Sequence, residues 1–410
     1  MESTAILAAN HLLLIAGIIL AAGSVCGIVA RRVKAPDVVL FILTGIVLGP
    51  ELVGVLDVRA TSTFNQVILI FGSCYILFDG GASLKLSVLK EVWITILVIS
   101  TLGVLITAAI TGLAAAQLFG VPFLTALLLG ASIASTDPAT LVPVFKEVRI
   151  RERLAQTVVS ESAFNDAMSA IITFALLGVI LGTGGSFSLG KAAGDLITNA
   201  LVGVVAGAVL GYLAALLIAH EKFGFLMEYA PLVTLMAVMA AYLSAETLNA
   251  SGFMAVFVFG IVLGNKKAFG FRLAQGEQER LADFVGTTAL IMRMFIFILL
   301  GSQVSFSLVG RYLGSGILLV LVFIFIARPI TVLLCALPDR RAKWSMRELL
   351  FMCWTRETGV IPGALAGILL GMKVPGAELV ASITFLAILS TILLQTTTTR
   401  WLAGRLGLLE

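Results

Sequence analysis

The feature that most constrains this chain is the recurrence of long apolar windows separated by short polar connections. A bilayer-crossing helix needs about 20 apolar residues, and windows of that kind fall at 6–30, 36–50, 64–80, 92–119, 122–145, 156–182, 190–220, 229–246, 251–265, 282–302, 311–337, 347–372 and 376–402. With 60% hydrophobic and 12% charged residues and a mean hydropathy of +1.10, the chain lies outside the soluble class, whose charged fraction is about 25%. The reading is an all-α, polytopic membrane protein with thirteen spans, its only partner surface so far being the lipid bilayer.

The basic residues test that count independently, because cytoplasmic loops collect Lys and Arg. With the amino terminus outside, twenty of the 27 fall inside: Arg31, Arg32, Lys34, Lys85, Lys90, Lys146, Arg149, Arg151, Arg153, Lys222, Lys266, Lys267, Arg272, Arg280, Arg340, Arg341, Lys343, Arg347, Arg400 and Arg405. Arg59, Lys191, Arg311 and Lys373 fall outside, and Arg293, Arg328 and Arg356 lie within spans. The net charge of +4 is thus a topology signal that gives no reason to expect a nucleic-acid partner. The carboxyl terminus is expected in the cytoplasm and the protein in the cell (inner) membrane.

The first window ends in Arg31-Arg32 with no small-residue cleavage site, so it reads as a retained helix. Cys26, Cys74, Cys335 and Cys353 form no CxxC pair, and neither a disulfide framework nor a zinc site is expected. His11 and His220 offer no metal constellation. The longest polar connection, Lys266 to Asp283, reads as a surface-lying helix, with no soluble domain on either side.

Two spans carry helix breakers at depth. In span five, Ser135-Thr136-Asp137-Pro138 contains a proline whose missing amide leaves the Ala134 carbonyl without its helical partner. In hydrocarbon such an orphan is tolerated only where protein or a cavity meets it. Span twelve repeats the chemistry in Thr355-Arg356-Glu357-Thr358-Gly359-Val360-Ile361-Pro362, where Pro362 frees the Thr358 carbonyl and Gly359 adds local freedom. Interrupted helices at corresponding positions point to an inverted repeat with a midplane binding site.

Between them, span six reads Ser160-Glu161-Ser162-Ala163-Phe164-Asn165-Asp166. Ionisable residues at membrane depth mark ion paths or proton relays. At 1.5 Å per residue, Asp166 lies about 15 Å from the cytoplasmic start of its span, Arg356 about 13 Å from the start of span twelve, and Asp137 about 22 Å in from outside. Ser162 and Asp166 share one stripe of the helix, Glu161 and Asn165 the next. Arg356 is the expected bidentate partner of Glu161 in a structural ion pair. Asp166 then stands without a permanent partner, so a proton and a monovalent cation compete for it. Thr136 and Ser162 hydroxyls and the Asp137 region supply oxygens for a small hard cation. Asp79, near the cytoplasmic end of span three, reads equally as a cavity residue or a solvated helix end, and Arg293 and Arg328 as neutralising or snorkelling cations.

These motifs, in this order and spacing, resemble the monovalent cation/proton antiporter superfamily, in its NhaP and sodium/proton exchanger branch. The resemblance covers essentially the whole chain and rests on Asn165-Asp166, Thr136-Asp137-Pro138 and Arg356. It implies an antiporter (NhaA-like) fold of inverted six-helix repeats, a homodimer, and alternating access of the elevator type. In that scheme 64–182 and 282–372 form the ion-carrying core, while 1–50 and 190–265 form mainly the dimerisation scaffold. It further implies that Asp166 binds cation and proton alternately, that Thr136, Asp137, Ser162 and Asp79 surround the ion, that Asn165 orients the site, and that no cofactor is needed beyond the transported ions. Asparagine before the aspartate resembles the electroneutral members. The chain departs from animal exchangers in having few residues after the last window, and in reading Arg356-Glu357-Thr358 where those are glycine-rich.

Three rivals are weighed. An intramembrane aspartyl protease would resemble its class in a Gly-x-Gly-Asp motif, which is absent here. A channel would need a filter-like polar lining, and a solute symporter more polar groups at the crossing. Oxygen ligands alone do not separate Na⁺, K⁺ and Li⁺.

Overall fold

The computed structural model describes residues 4–33, 37–137, 145, 150–182, 189–220 and 223–409. Pro138, and among the basic residues Lys34, Lys146, Arg149 and Lys222, lie outside the described residues. The described chain is helical, with a single isolated antiparallel bridge between Ile150 and Leu409. Its helices are α1 (Thr4–Val33), α2 (Asp37–Leu48), α3 (Thr63–Ser83), α4 (Leu86–Phe119), α5 (Phe123–Ser132), α6 (Glu152–Ile180), α7 (Leu189–Ala219), α8 (Ala230–Thr247), α9 (Gly252–Gly264), α10 (Gln275–Ser302), α11 (Phe306–Val322), α12 (Arg328–Ala336), α13 (Met346–Trp354), α14 (Val360–Gly371), α15 (Ala377–Thr391) and α16 (Thr397–Leu406).

Among the described residues, nine helical stretches are long and apolar enough to cross a bilayer. α2, α5, α9 and α14 are shorter apolar helices that occupy the remaining expected windows. Local chemistry sets several boundaries. The Ser62 and Ser251 hydroxyls accept the Asn65 and Met254 amides at 3.2 Å, capping α3 and α9. Ser345 and Glu348 form a reciprocal capping box at α13. Gly120, left-handed at φ 63°, ends α4 by returning its amide to the Ala116 carbonyl. The expected surface helix between Lys266 and Asp283 is instead a short turn, Lys266–Phe269, after which α10 begins at Gln275. Gly270, left-handed at φ 82°, terminates that turn.

Two stretches widen into turns that take an extra residue. Phe323–Ala327 joins α11 to α12, and Ile392–Thr396 joins α15 to α16. The first has a plain cause: Pro329 has no amide to give the Phe325 carbonyl, and the wider turn absorbs the mismatch. In the second, Thr397, Thr398 and Thr399 hydroxyls bond back to the carbonyls of Leu393, Leu394 and Gln395 at 2.6, 2.6 and 2.7 Å. Such back-bonding competes with the main-chain ladder and bends helices.

α6 packs on α4 and α5, α9 lies between α3 and α7, and α15 packs on α11 and α14. α14 is buried from Val360 to Leu369, which places the interrupted span twelve at the centre. α1 and α7 present Leu13, Leu14, Ile197, Leu201 and Val205 outward. Their outer faces are as apolar as the core, as helices facing lipid require.

Candidate functional site

The two interruptions meet. Span five stops being helical after Ser132 and has no regular structure over 134–137, and span twelve is unwound over 355–359 between α13 and α14. The Asp137 amide donates to the Glu357 carbonyl at 2.8 Å, stitching the two unwound strands together. Each then closes the other's helix end. The Asp137 carboxylate accepts the Val360 amide at 3.2 Å, placing a negative charge at the positive N-terminus of α14. In the opposite direction, the Arg356 guanidinium donates to the Ala134 carbonyl and, at 3.4 Å, to the Thr107 hydroxyl, with the Phe323 ring 4.6 Å beneath it. The orphan carbonyl expected from Pro138 is therefore met by Arg356.

Gly359 has a stricter role than local freedom. A Cβ there would stand 2.0 Å from that of Asp137, so only glycine lets the two strands approach. Pro362 does not kink a helix. It sits in the first turn of α14, where an amide has no partner to lose.

One face of α6 grips the end of span five. Asn165 clamps Thr136 twice: its carbonyl accepts the Thr136 amide at 3.0 Å and its amide donates to the Thr136 hydroxyl at 2.9 Å. The Ser162 hydroxyl donates to the Thr136 carbonyl, and Ser169 to the Ala131 carbonyl at 2.6 Å. Thr136, Ser162 and Asn165 are thus brought together, with both expected stripes of α6 contributing to Thr136, and their hydrogen bonds are already spent partly on one another.

Asp166 follows Asn165 and is buried, and its Oδ1 has no hydrogen-bond partner. The Ser135 hydroxyl lies beside its carboxyl but outside hydrogen-bond geometry, and the Asp137 charge bears on it. Asp79 is half-buried on α3, with Arg293 the positive charge that bears on it. No hydrogen bond among the described residues brings it to Asp166. No group of three His, Cys, Asp or Glu suited to a resident metal occurs among the described residues.

One assignment is corrected. Glu161 pairs with Arg328, not Arg356: the guanidinium holds the carboxylate bidentately, with Nη2 to Oε2 at 2.9 Å, while its Nε donates to the Met352 carbonyl at 2.9 Å. Both partners are almost fully buried, at 1% and 2% side-chain exposure. The reason is geometric. Arg356 is committed to the opened end of span five, whereas Arg328 projects from a helix that packs against α4 and α13. The sequence marks Arg328, with Arg293, as a within-span cation that could neutralise a carboxylate or snorkel; it does not show which carboxylate.

On the cytoplasmic side expected from charge, Arg151 and Arg153 approach Glu348 at 3.9 and 3.6 Å. Thr95 donates to Asp339 at 2.6 Å and accepts from the Trp344 indole at 2.9 Å. Burial pushes the Asp339 carboxyl up, but the Thr95 hydroxyl and the Ala342 and Arg341 amides outweigh it and hold it below the usual range.

Comparison with known proteins matches this architecture. Residues 18–405 fit the family described as sodium/hydrogen exchanger, transmembrane. The chain is 34% identical over 359 residues to Na(+)/H(+) antiporter 1 of Methanocaldococcus jannaschii, covering 85% of this chain and 81% of that one. It is 29% identical to the K(+)/H(+) antiporter NhaP of Alkalimonas amylolytica, over 95% of this chain and 65% of that one. The solved structure of the sodium proton antiporter MjNhaP1 from Methanocaldococcus jannaschii at pH 8 superposes with a TM-score of 0.84 and 30% identity, over 97% of this chain and 99% of that one. The chain therefore belongs to the sodium/hydrogen exchanger family, and is a multi-pass transmembrane monovalent cation/proton antiporter and not an enzyme.

Proposed function

We propose that Asp166 is the exchange site, binding H⁺ and a monovalent cation, Na⁺ or K⁺, in turn. The observation that carries this is the contrast on α6: Glu161 is held by a guanidinium, while Asp166, also buried, has an open oxygen. A buried carboxylate without a fixed counter-charge is neutralised by a proton or by a bound cation. Ser135, Thr136, Ser162 and Asp137 are the nearby oxygens from which a cation's shell is drawn. Asn165 acts by holding the Thr136 strand against α6.

The exchange is one-for-one and electroneutral, because one carboxylate trades one charge for another. The thirteen windows all cross, as two inverted six-helix repeats whose interrupted members are spans five and twelve. The amino terminus faces outward and the carboxyl terminus the cytoplasm of a cell (inner) membrane. Residues 64–182 and 282–372 move as the ion-carrying core against a scaffold of 1–50 and 190–265, where two copies pair through the apolar outer helices. Relatives named for Na⁺ and for K⁺ leave both ions as substrates.

The test is proton movement in proteoliposomes with a pH-sensitive dye, adding Na⁺, K⁺ or Li⁺ to the wild type and to Asp166→Asn under clamped voltage. Cation-driven proton movement that ignores voltage and vanishes in the variant is expected. Transport retained by Asp166→Asn, with the protein folded, sinks the assignment, and voltage-dependent flux sinks the stoichiometry.

A further inference from the structure

The exchange reading leaves one deeply buried carboxylate without a task. Glu357 is 1% exposed and sits in the unwound stretch 355–359. That stretch is tied down from two sides. On one, the Glu357 main-chain carbonyl accepts the Asp137 amide at 2.8 Å. On the other, the Glu357 carboxylate accepts the Thr396 hydroxyl at 2.9 Å, and the Thr358 amide donates to the Thr391 hydroxyl at 3.0 Å.

Both threonines border the wide turn between α15 and α16. Thr391 is the last residue of α15 and Thr396 the last of the turn. Such turns, with one residue more than an α-helix, occur frequently at functional sites. This one has no proline to explain it. Residue 395 within it is a glutamine, fully buried, whose amide nitrogen and oxygen both lack hydrogen-bond partners, and the Thr358 hydroxyl is buried in the same condition. Polar groups of this kind are expensive in a membrane interior. Their concentration at one junction argues for a task beyond packing.

Position links that junction to the exchange site. Asp137 is pressed against Gly359, takes the Val360 amide on its carboxylate, and gives its own amide to Glu357. A displacement of 355–359 therefore displaces Asp137, whose charge bears on Asp166. We propose that Glu357 is a positioning residue for cation exchange: gripped by Thr396 and by the Asp137 amide, it fixes where Asp137 stands beside Asp166 and so sets the affinity for the cation. This rests on Asp166 being the exchange site.

The test measures initial exchange rates against cation concentration, at several pH values, for wild type, Glu357→Gln, Glu357→Leu, Thr396→Val and the Glu357→Leu/Thr396→Val double variant. Losing a hydrogen bond to a charged group is expected to raise KM about tenfold in Glu357→Leu and in Thr396→Val, with kcat unchanged. Because the two changes break the same link, the double variant is no worse than either. Glu357→Gln keeps an acceptor oxygen for Thr396 and stays within about threefold of wild type. Where proton and cation compete, about tenfold weaker cation binding moves the acid limb of the activity profile up by about one pH unit.

Wild-type KM in both Glu357→Leu and Thr396→Val overturns the proposal, as do effects that multiply in the double variant. A Glu357→Gln as impaired as Glu357→Leu overturns it too, since charge and not position would then be at work. Thr396→Val changes shape least and keeps the test informative if Glu357→Leu fails to fold. Absence of cation-driven proton movement in the wild type would instead sink the exchange reading.

Discussion

Glu161 and Asp166 stand on the same helix, at the same order of burial, in opposite surroundings. Glu161 is held on both oxygens: Arg328 binds them bidentately and gives its Nε hydrogen to the Met352 carbonyl. Around Asp166 the neighbours are a hydroxyl outside hydrogen-bond geometry and a second carboxylate, and its own Oδ1 has nothing donated to it. Both carboxylates face the same desolvation problem, and the difference lies in who solves it. A fixed guanidinium makes a structural element; a mobile ion makes a transport site.

That contrast can be broken most severely at Arg328. Arg328→Met leaves Glu161 buried without its counter-charge and is expected to cost about 3–5 kcal/mol, seen as a large fall in Tm. Adding Glu161→Leu to the same protein should recover most of it, because paired removal of a buried ion pair is often neutral. Asp166→Asn should leave Tm near wild type while abolishing exchange. A stable Arg328→Met would erase the distinction drawn here.

Arg356 sharpens the contrast, since it is a buried cation that serves a carbonyl and not a carboxylate. Arg356→Met should destabilise by about 1.5–3 kcal/mol, the worth of hydrogen bonds to a charged group, less than Arg328→Met in the same denaturation assay. The opposite ranking would return Arg356 to the role of Glu161's partner. Gly359→Ala acts only on the Asp166 side. Its Cβ would drive into Asp137, so overpacking of about 1–3 kcal/mol should come with reduced cation affinity, read as KM in vesicles.

The smallest effect lies away from both carboxylates, at Thr95. The folded carboxyl of Asp339 is held low, so its contribution is fully present above the unfolded value near 3.9 and is lost as pH falls through the lower folded one. Thr95→Val removes a donor and should weaken that contribution. Acid unfolding would begin slightly higher in pH, while exchange at neutral pH stays unchanged.

Hydropathy was enough to locate nine membrane-length helices and four shorter apolar ones among the described residues, since length and apolarity are local properties. The sequence read an orphan carbonyl at Ala134 from Pro138, which lies outside the described residues; the helix ends earlier, at Ser132, and Arg356 meets that carbonyl. The partner of Glu161 was not legible. Arg328 and Arg356 both lie deep in apolar windows, and the choice depends on how three helices are rotated about their axes, which no local pattern records. Gly359 read as flexibility because its contact, Asp137, is 222 residues away in sequence. The wide turn at 392–396 left no proline to announce it.

The reciprocal closure of the two broken helices also dictates an order of assembly. The Ala134 carbonyl and the Arg356 guanidinium are 222 residues apart, and Asp137 and the Val360 amide 223. A nascent chain threaded into the bilayer from its amino end carries the Ala134 carbonyl without its Arg356 partner through the synthesis of seven further windows. Contacts of such separation form late and slowly. The crossing is therefore among the joints that lock late, and a chain released before residue 356 would keep a raw carbonyl within the lipid, a mark by which an unfinished copy differs from a finished one.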